Sequence, residues 1–177
     1  LTENHWMNAL KTLPNVVIVD RPLHIRDRDR DIMLVPYVAP GRFVEALETV
    51  NKRWNYCSVI FCHQEFRGCK MGAITSLDGD EWDDDFPYII SGHIHDFQQV
   101  GKNVIYPGAP LQHGFGDSTI RRVCEITISG MQIKWHDLNV PKKHVVSCTV
   151  ENMRDTVLSQ NLSCLLYTSD AADDTPC

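Results

Sequence analysis

The sequence predicts an α/β domain, and three observations predict it. Apolar residues at 43, 46, 47, 50 and 54 recur at helical spacing and lead directly into the apolar run Val59-Ile60-Phe61-Cys62, a helix feeding a buried strand. A second short apolar run, Pro87-Tyr88-Ile89-Ile90-Ser91, ends as the first does, in polar residues that include histidine. From 97 to 138, strand-like runs then alternate with glycine turns.

Residues 3–12 can form a helix, which Pro14 should end because a proline pushes the preceding residue out of helical conformation. Residues 15–20, Asn-Val-Val-Ile-Val-Asp, then read as a strand. The charged stretch 26–31 is a turn between residues 22–25 and the apolar 32–37, which predicts a hairpin at a sheet edge. Helix is expected over 42–54. The connection 64–86 is rich in glycine and charge, and its acidic part, 78–85, reads as a solvated loop. Gly101-Lys102 should join two strands at 97–100 and 103–106, and Gly130 should join 121–129 to 131–138. A strand at 145–150 and a short helix near 151–160 complete the reading.

The chain has 177 residues, enough for one domain with a real core. Its 17 Lys and Arg against 23 Asp and Glu leave a net charge of −6, so no global basic field attracts nucleic acid, and any DNA contact must be local. No apolar run approaches the roughly 20 residues of a membrane-spanning helix. Seven cysteines, at 57, 62, 69, 124, 148, 164 and 177, form no C-x-x-C pair; their odd number argues against a closed disulfide framework and for reduced thiols in a cytoplasmic setting. Cys57 and Cys62 are expected to pack as small hydrophobes without chemistry. The start, Leu-Thr-Glu-Asn-His, reads as mid-protein sequence, and residues 163–177 continue no periodicity and are expected to be a non-native tail.

Gly92-His93-Ile94-His95 carries the strongest chemical signal. Two imidazoles at i and i+2 of an extended segment point to the same side and can address neighbouring metal ions. His63 closes the preceding buried run, so strand ends should deliver three histidines to one edge of a single sheet, where open α/β sheets place their ligands. Gly79-Asp80-Glu81-Trp82-Asp83 matches a metal-site pattern, G-D-x-x-D, but lies within the acidic loop and is expected to be solvated. His24, His136 and His144 have no partner pattern.

Phe61-Cys62-His63 and Ser91-Gly92-His93-Ile94-His95 resemble the last two motifs of the calcineurin-like metallophosphoesterases, in order. Residues 104–116, with Pro107-Gly108-Ala109-Pro110, are similar to the turn that follows in DNA-repair nuclease subunits of SbcD type and their phage relatives. The resemblance spans about residues 10–140. It implies a partial four-layer αββα sandwich with mixed sheets, residues 1–140 being the C-terminal part of that domain and 141–162 a linker or the start of another.

The resemblance further implies a hydrolase using two divalent ions, manganese first with iron or zinc as alternatives, to cleave phosphodiester bonds by a metal-bridging hydroxide. His63, His93 and His95 would be the catalytic and metal-binding residues. Arg67, Lys70 and His113 would touch substrate, and Asp96 would orient a ligand histidine. DNA and an ATPase subunit are the implied partners. The family's earlier D-x-H, G-D-x-x-D and G-N-H-D/E motifs are absent, so the chain alone is expected to be inactive. Alternative readings are a phosphomonoesterase or cyclic-nucleotide phosphodiesterase of the same fold, or a non-catalytic scaffold.

Overall fold

The computed structural model describes residues 5–27 and 30–159, and the chain divides into two compact units, 1–143 and 144–177. The first unit is α/β, with a mixed six-stranded sheet and few helices. Its opening 3-10 helix, Trp6–Thr12, gives way to extended backbone at Leu13, as Pro14 requires. The strand expected at 15–20 does not form. Asn15 turns with φ 63°, Val17 is 75% exposed, and among the described residues no ladder partner lies beside the segment.

The edge hairpin does form, from β1 (Leu23–Asp27) and β2 (Arg30–Val35), with Asp27 opposite Arg30. Helix α1 is shorter than its periodicity suggests, running only over Phe43–Glu48. The Asn51 side chain accepts a bond from the Arg53 N–H at 2.9 Å, a local turn that competes with helix continuation. A second 3-10 helix, Trp54–Tyr56, then returns Trp54 to the core. β3 (Val59–Cys62) follows, and a small ribbon, β4 (Lys70–Met71) with β5 (Ile74–Thr75), occupies the next connection.

β6 (Tyr88–Ser91), β7 (Gln98–Val100) and β8 (Val104–Tyr106) complete the sheet in the order β1-β2-β3-β6-β8-β7. The four inner strands are parallel, and the two edge strands are antiparallel to their neighbours. Parallel strands are covered on both faces, which explains why their sequences are apolar without alternation. Met33, Ile60, Ile89, Val104 and Tyr106 lie in one core with Phe43, Leu47 and Trp54. Val59, Ile90 and Ile105 face the other way, against residues of a hairpin made by β9 (Arg122–Thr127) and β10 (Gln132–Asp137). Each such side chain contributes roughly 1.5–3 kcal/mol by leaving water.

The acidic loop at 78–85 is solvated at Asp78, Glu81, Asp83, Asp84 and Asp85, as its charge pattern predicts, but two of its residues, Asp80 and Trp82, turn inward. Asp80 is 7% exposed; its carboxylate accepts bonds from Gln64 Nε2 (2.6 Å) and from the Phe43 N–H at the start of α1 (3.2 Å). Two residues later, the Trp82 ring meets Phe43, Trp54, Phe66 and Phe86. Gly79 is required there, since a Cβ would stand 2.6 Å from the Phe66 carbonyl carbon. The charges of this loop thus frame an aromatic anchor and a buried carboxylate.

In the second unit, helix α2 spans Met153–Ser159. The strand expected at 145–150 is irregular, with Val145 and Val150 exposed. The supposed tail, 163–177, lies outside the described residues. Among the described residues no helix is long and apolar enough to cross a membrane.

Candidate functional site

Three neighbouring parallel strands release their chains at one edge of the sheet. Just past β2 stands Tyr37, directly after β3 stands His63, and after β6 come Gly92 and His93. The parallel register Cys62 to Ser91 makes His63 and Gly92 equivalent positions on adjacent strands. The His63 and His93 rings lie 5.2 Å apart between centroids, edge to face. Tyr37 stacks over His93 at 6.1 Å, and Glu65 reaches His93 Nε2 at 3.8 Å. Gly92 holds no left-handed conformation; a Cβ there would come within 3.4 Å of His63 Nδ1. Its value is space beside the imidazole.

These loops are fixed by buried polar groups. The Ser91 hydroxyl donates to the Gln64 carbonyl at 2.7 Å and accepts from the Gln64 N–H at 2.9 Å, tying the two strand ends together. The fully buried Gln64 side chain brackets Val38, accepting from its N–H and donating to its carbonyl, both at 3.1 Å. The Tyr106 hydroxyl accepts from the Phe66 N–H at 2.8 Å and donates to the Gln64 carbonyl at 3.3 Å. With these bonds made, the exposed His63 projects from a backbone that has little freedom.

His95 extends the cluster. Ile94, 5% exposed, packs inward and leaves His93 and His95 on either side of it. The His95 ring stacks on His113 at 4.2 Å. Arg121, 3% exposed, donates to the His95 carbonyl (2.7 Å) and to Asp96 (2.9 Å), while Gly108, with φ 81°, lies so close that a Cβ would be 2.9 Å from the His95 oxygen. Asp96 therefore bonds Arg121 and the Ser118 N–H, in place of the imidazole it was expected to orient. Arg67 is paired with Glu81, and Lys70 lies exposed on β4 with its N–H bonded to Gln98.

Partial desolvation at the sheet edge, reinforced by the neighbouring His93 and His95, lowers the pKa of the largely exposed His63 below its ordinary value. That favours the neutral imidazole, the form that ligates metals. His63 and His93 bring two imidazole rings side by side, and His95 follows two residues on, stacked on His113. Among the described residues they are not joined by a third donor close enough to close a three-ligand group; the one such group lies elsewhere, at His24, Asp31 and Cys57. The histidines thus fit part of a metal site. A cleft of about 980 Å³ runs beside α1 and is lined by Tyr37, Val38 and Arg42, so it meets the histidine edge only through Tyr37.

Over 156 residues, 86% of its length, the chain is 45% identical to "Putative phosphoesterase 078R" of Invertebrate iridescent virus 3. Over 165 residues it is 42% identical to "Putative phosphoesterase 244L" of Invertebrate iridescent virus 6. It is similar to viral proteins named as phosphoesterases. The matched parts are 45% and 58% of those proteins, so the chain spans about half the length of the curated relatives it matches. No family model matches the chain.

Sequence reasoning missed Tyr37, Glu65, Gln64 and Arg121, and read the buried Asp80 as solvated. Tyr37 and Glu65 had a usable signal, lying two and three residues after strand ends at the same edge. Arg121 had none, because its partners come from three separate turns.

Proposed function

We propose that this chain supplies His63, His93 and His95 to the active site of a two-metal phosphoesterase of the calcineurin-like kind, with a DNA nuclease subunit as the leading substrate reading. The adjacency of His63 and His93 at the ends of β3 and β6 carries the proposal, and similarity to viral proteins named as phosphoesterases supports it. On this reading the six-stranded sheet and the β9–β10 hairpin against it belong to the two inner layers of a four-layer sandwich. The remaining donors, including a bridging carboxylate, come from sequence outside this chain.

Two divalent ions, manganese first, would supply activation of water and neutralisation of charge at phosphorus. The chain's own residues do the rest. His63 offers a lone pair beside His93. Glu65 can hold the other side of the His93 ring, and Tyr37 shields its face from water. His113, stacked on His95, flanks the place where a phosphate would enter. Arg67 can turn to phosphate only by leaving Glu81.

The test compares this chain alone with the chain joined to the remaining length of its relatives. Both are assayed with and without Mn²⁺ on single- and double-stranded DNA and a generic phosphodiester, alongside His93→Ala. The expected outcome is metal-dependent DNA cleavage by the longer protein, lost in His93→Ala, and no turnover by the short chain. Cleavage of the generic ester alone would redirect the substrate reading to small phosphoesters. Unchanged cleavage in His93→Ala would refute the site.

A further inference from the structure

At the amino-terminal ends of the same strands lies a second cluster. His24 on β1 and Asp31 on β2 are diagonal neighbours on one face of the hairpin, His24 being opposite Met33 and Asp31 opposite Arg26. His24 Nε2 is 2.5 Å from Asp31 Oδ1, and the Cys57 thiol donates to the same oxygen at 3.2 Å. Cys57 is placed there by the backbone, since the Ser58 N–H donates to the Asp31 carbonyl at 2.7 Å. Three elements thus bring one imidazole, one carboxylate and one thiol together, with all ligand atoms within 4.8 Å of one another. None of the three bonds to the histidine edge, which lies beyond β3 at about 3.3 Å of separation per residue.

We propose that His24, Asp31 and Cys57 form a three-ligand site for a zinc-class divalent ion, distinct from the site at His63 and His93. Nitrogen, sulfur and oxygen donors of this mixture suit zinc, and three protein ligands leave the fourth tetrahedral position open. That position opens to a cleft of about 370 Å³ which Arg26, Arg30 and Arg53 also line. Two of these cations are already engaged, Arg30 with Asp27 and Arg53 over the Tyr56 ring. In a zinc site, ligand atoms stand about 3.3–3.8 Å apart, from metal bonds of roughly 2.0–2.3 Å. The Cys57–Asp31 distance is nearly that already, and the His24–Asp31 pair must open by about 1 Å as an ion replaces the proton between them.

The proton balance is explicit. Without metal the Cys57 thiol is protonated, burial first and the Asp31 carboxylate second pushing its pKa up to about 12. Binding of M²⁺ breaks the S–H bond, forms a metal–thiolate bond and releases the thiol proton to solvent, while the proton between His24 and Asp31 passes to His24 Nδ1 and leaves Nε2 free for the ion. The doubly charged ion is then balanced by one carboxylate and one thiolate.

Cobalt(II) is the probe, because a cobalt–thiolate bond absorbs in the near ultraviolet and a purely histidine site does not. The full chain is titrated with Co²⁺, and then the bound Co²⁺ is displaced with Zn²⁺. The expected result is a thiolate-to-cobalt band saturating at one ion per chain, absent in Cys57→Ser and retained in Cys62→Ser and Cys69→Ser. Asp31→Asn, which keeps a hydrogen-bonding shape, should weaken Zn²⁺ binding by more than the roughly 10–100-fold typical of losing an outer partner. The wild-type titration decides independently of how any variant folds. No thiolate band at saturating Co²⁺, a ligand-field spectrum without it, or a band that survives in Cys57→Ser would each overturn the proposal.

Discussion

The two ends of the parallel strands use histidine in opposite ways. At the carboxyl end, His63 and His93 stand side by side on loops whose backbones are bonded to Gln64, Ser91 and Tyr106. Their support is elaborate, yet the rings themselves have an edge-to-face contact, a loosely stacked Tyr37 and a distant Glu65. At the amino end, His24, Asp31 and Cys57 bond directly to one another. The first arrangement is preorganised and incomplete; the second is complete and must give up protons before it can do anything else. Rigid support under unsatisfied donors is what a site needs when its remaining ligands arrive from elsewhere.

The sharpest way to break this contrast is to remove the support and leave the rings. Asp80→Ala deletes the buried acceptor of Gln64 and of the Phe43 N–H, and should cost about 3 kcal/mol in urea unfolding, since hydrogen bonds to a charged group are worth roughly 1.5–3 kcal/mol. His63→Ala, at an exposed ring, should stay within about 0.5 kcal/mol of the parent. Equal losses in the two variants would erase the distinction between frame and ligand. Tyr106→Phe is milder. It strands the Phe66 N–H, and an unfolding shift of about 1–2 kcal/mol is expected, with the His63 and His93 resonances displaced in the NMR spectrum.

A further effect is pH-dependent and concerns the loop that carries His113. The Gly114 N–H, aided by that of His113, outweighs burial and lowers the pKa of the Asp117 carboxyl below its ordinary value. A depressed folded pKa means that the contribution is fully present above the unfolded value, about 3.9, and is lost as pH falls through the folded one. Asp117→Asn should therefore cost about 1 kcal/mol near neutrality and flatten the acid limb of thermal stability below about pH 4. A parallel acid limb in both proteins would show that the bond contributes nothing.

Much of the frame was legible in sequence because its signals are local. The apolar runs at 59–62 and 88–91, the glycine turns at 101 and 130, and the charged hairpin tip each announce themselves within a few residues. Segments whose fate depends on a distant partner were misread. Residues 15–20 have strand composition and, among the described residues, no strand beside them, whereas helix 42–54 is cut short locally, by an Asn51 side chain whose partner is two residues away. The acidic loop is exposed at five of its acids, as composition predicts, but composition does not see the aromatic residues that Trp82 joins or the buried Asp80. The histidine edge was readable from strand ends alone, whereas His24 acquires its partners only through a register and a 2.7 Å backbone bond that no spacing rule encodes.

The parallel ladder also sets when the histidine edge comes into being. The hairpins β1–β2 and β9–β10 close over short loops and can form early in folding. β2, β3 and β6 meet only after two long crossovers have closed, and such non-local pairing is what slows a chain down. Ser91 cannot reach Gln64 before that moment. A chain emerging during synthesis therefore exposes both imidazoles well before it can bring them together, and any premature metal capture would involve isolated single histidines.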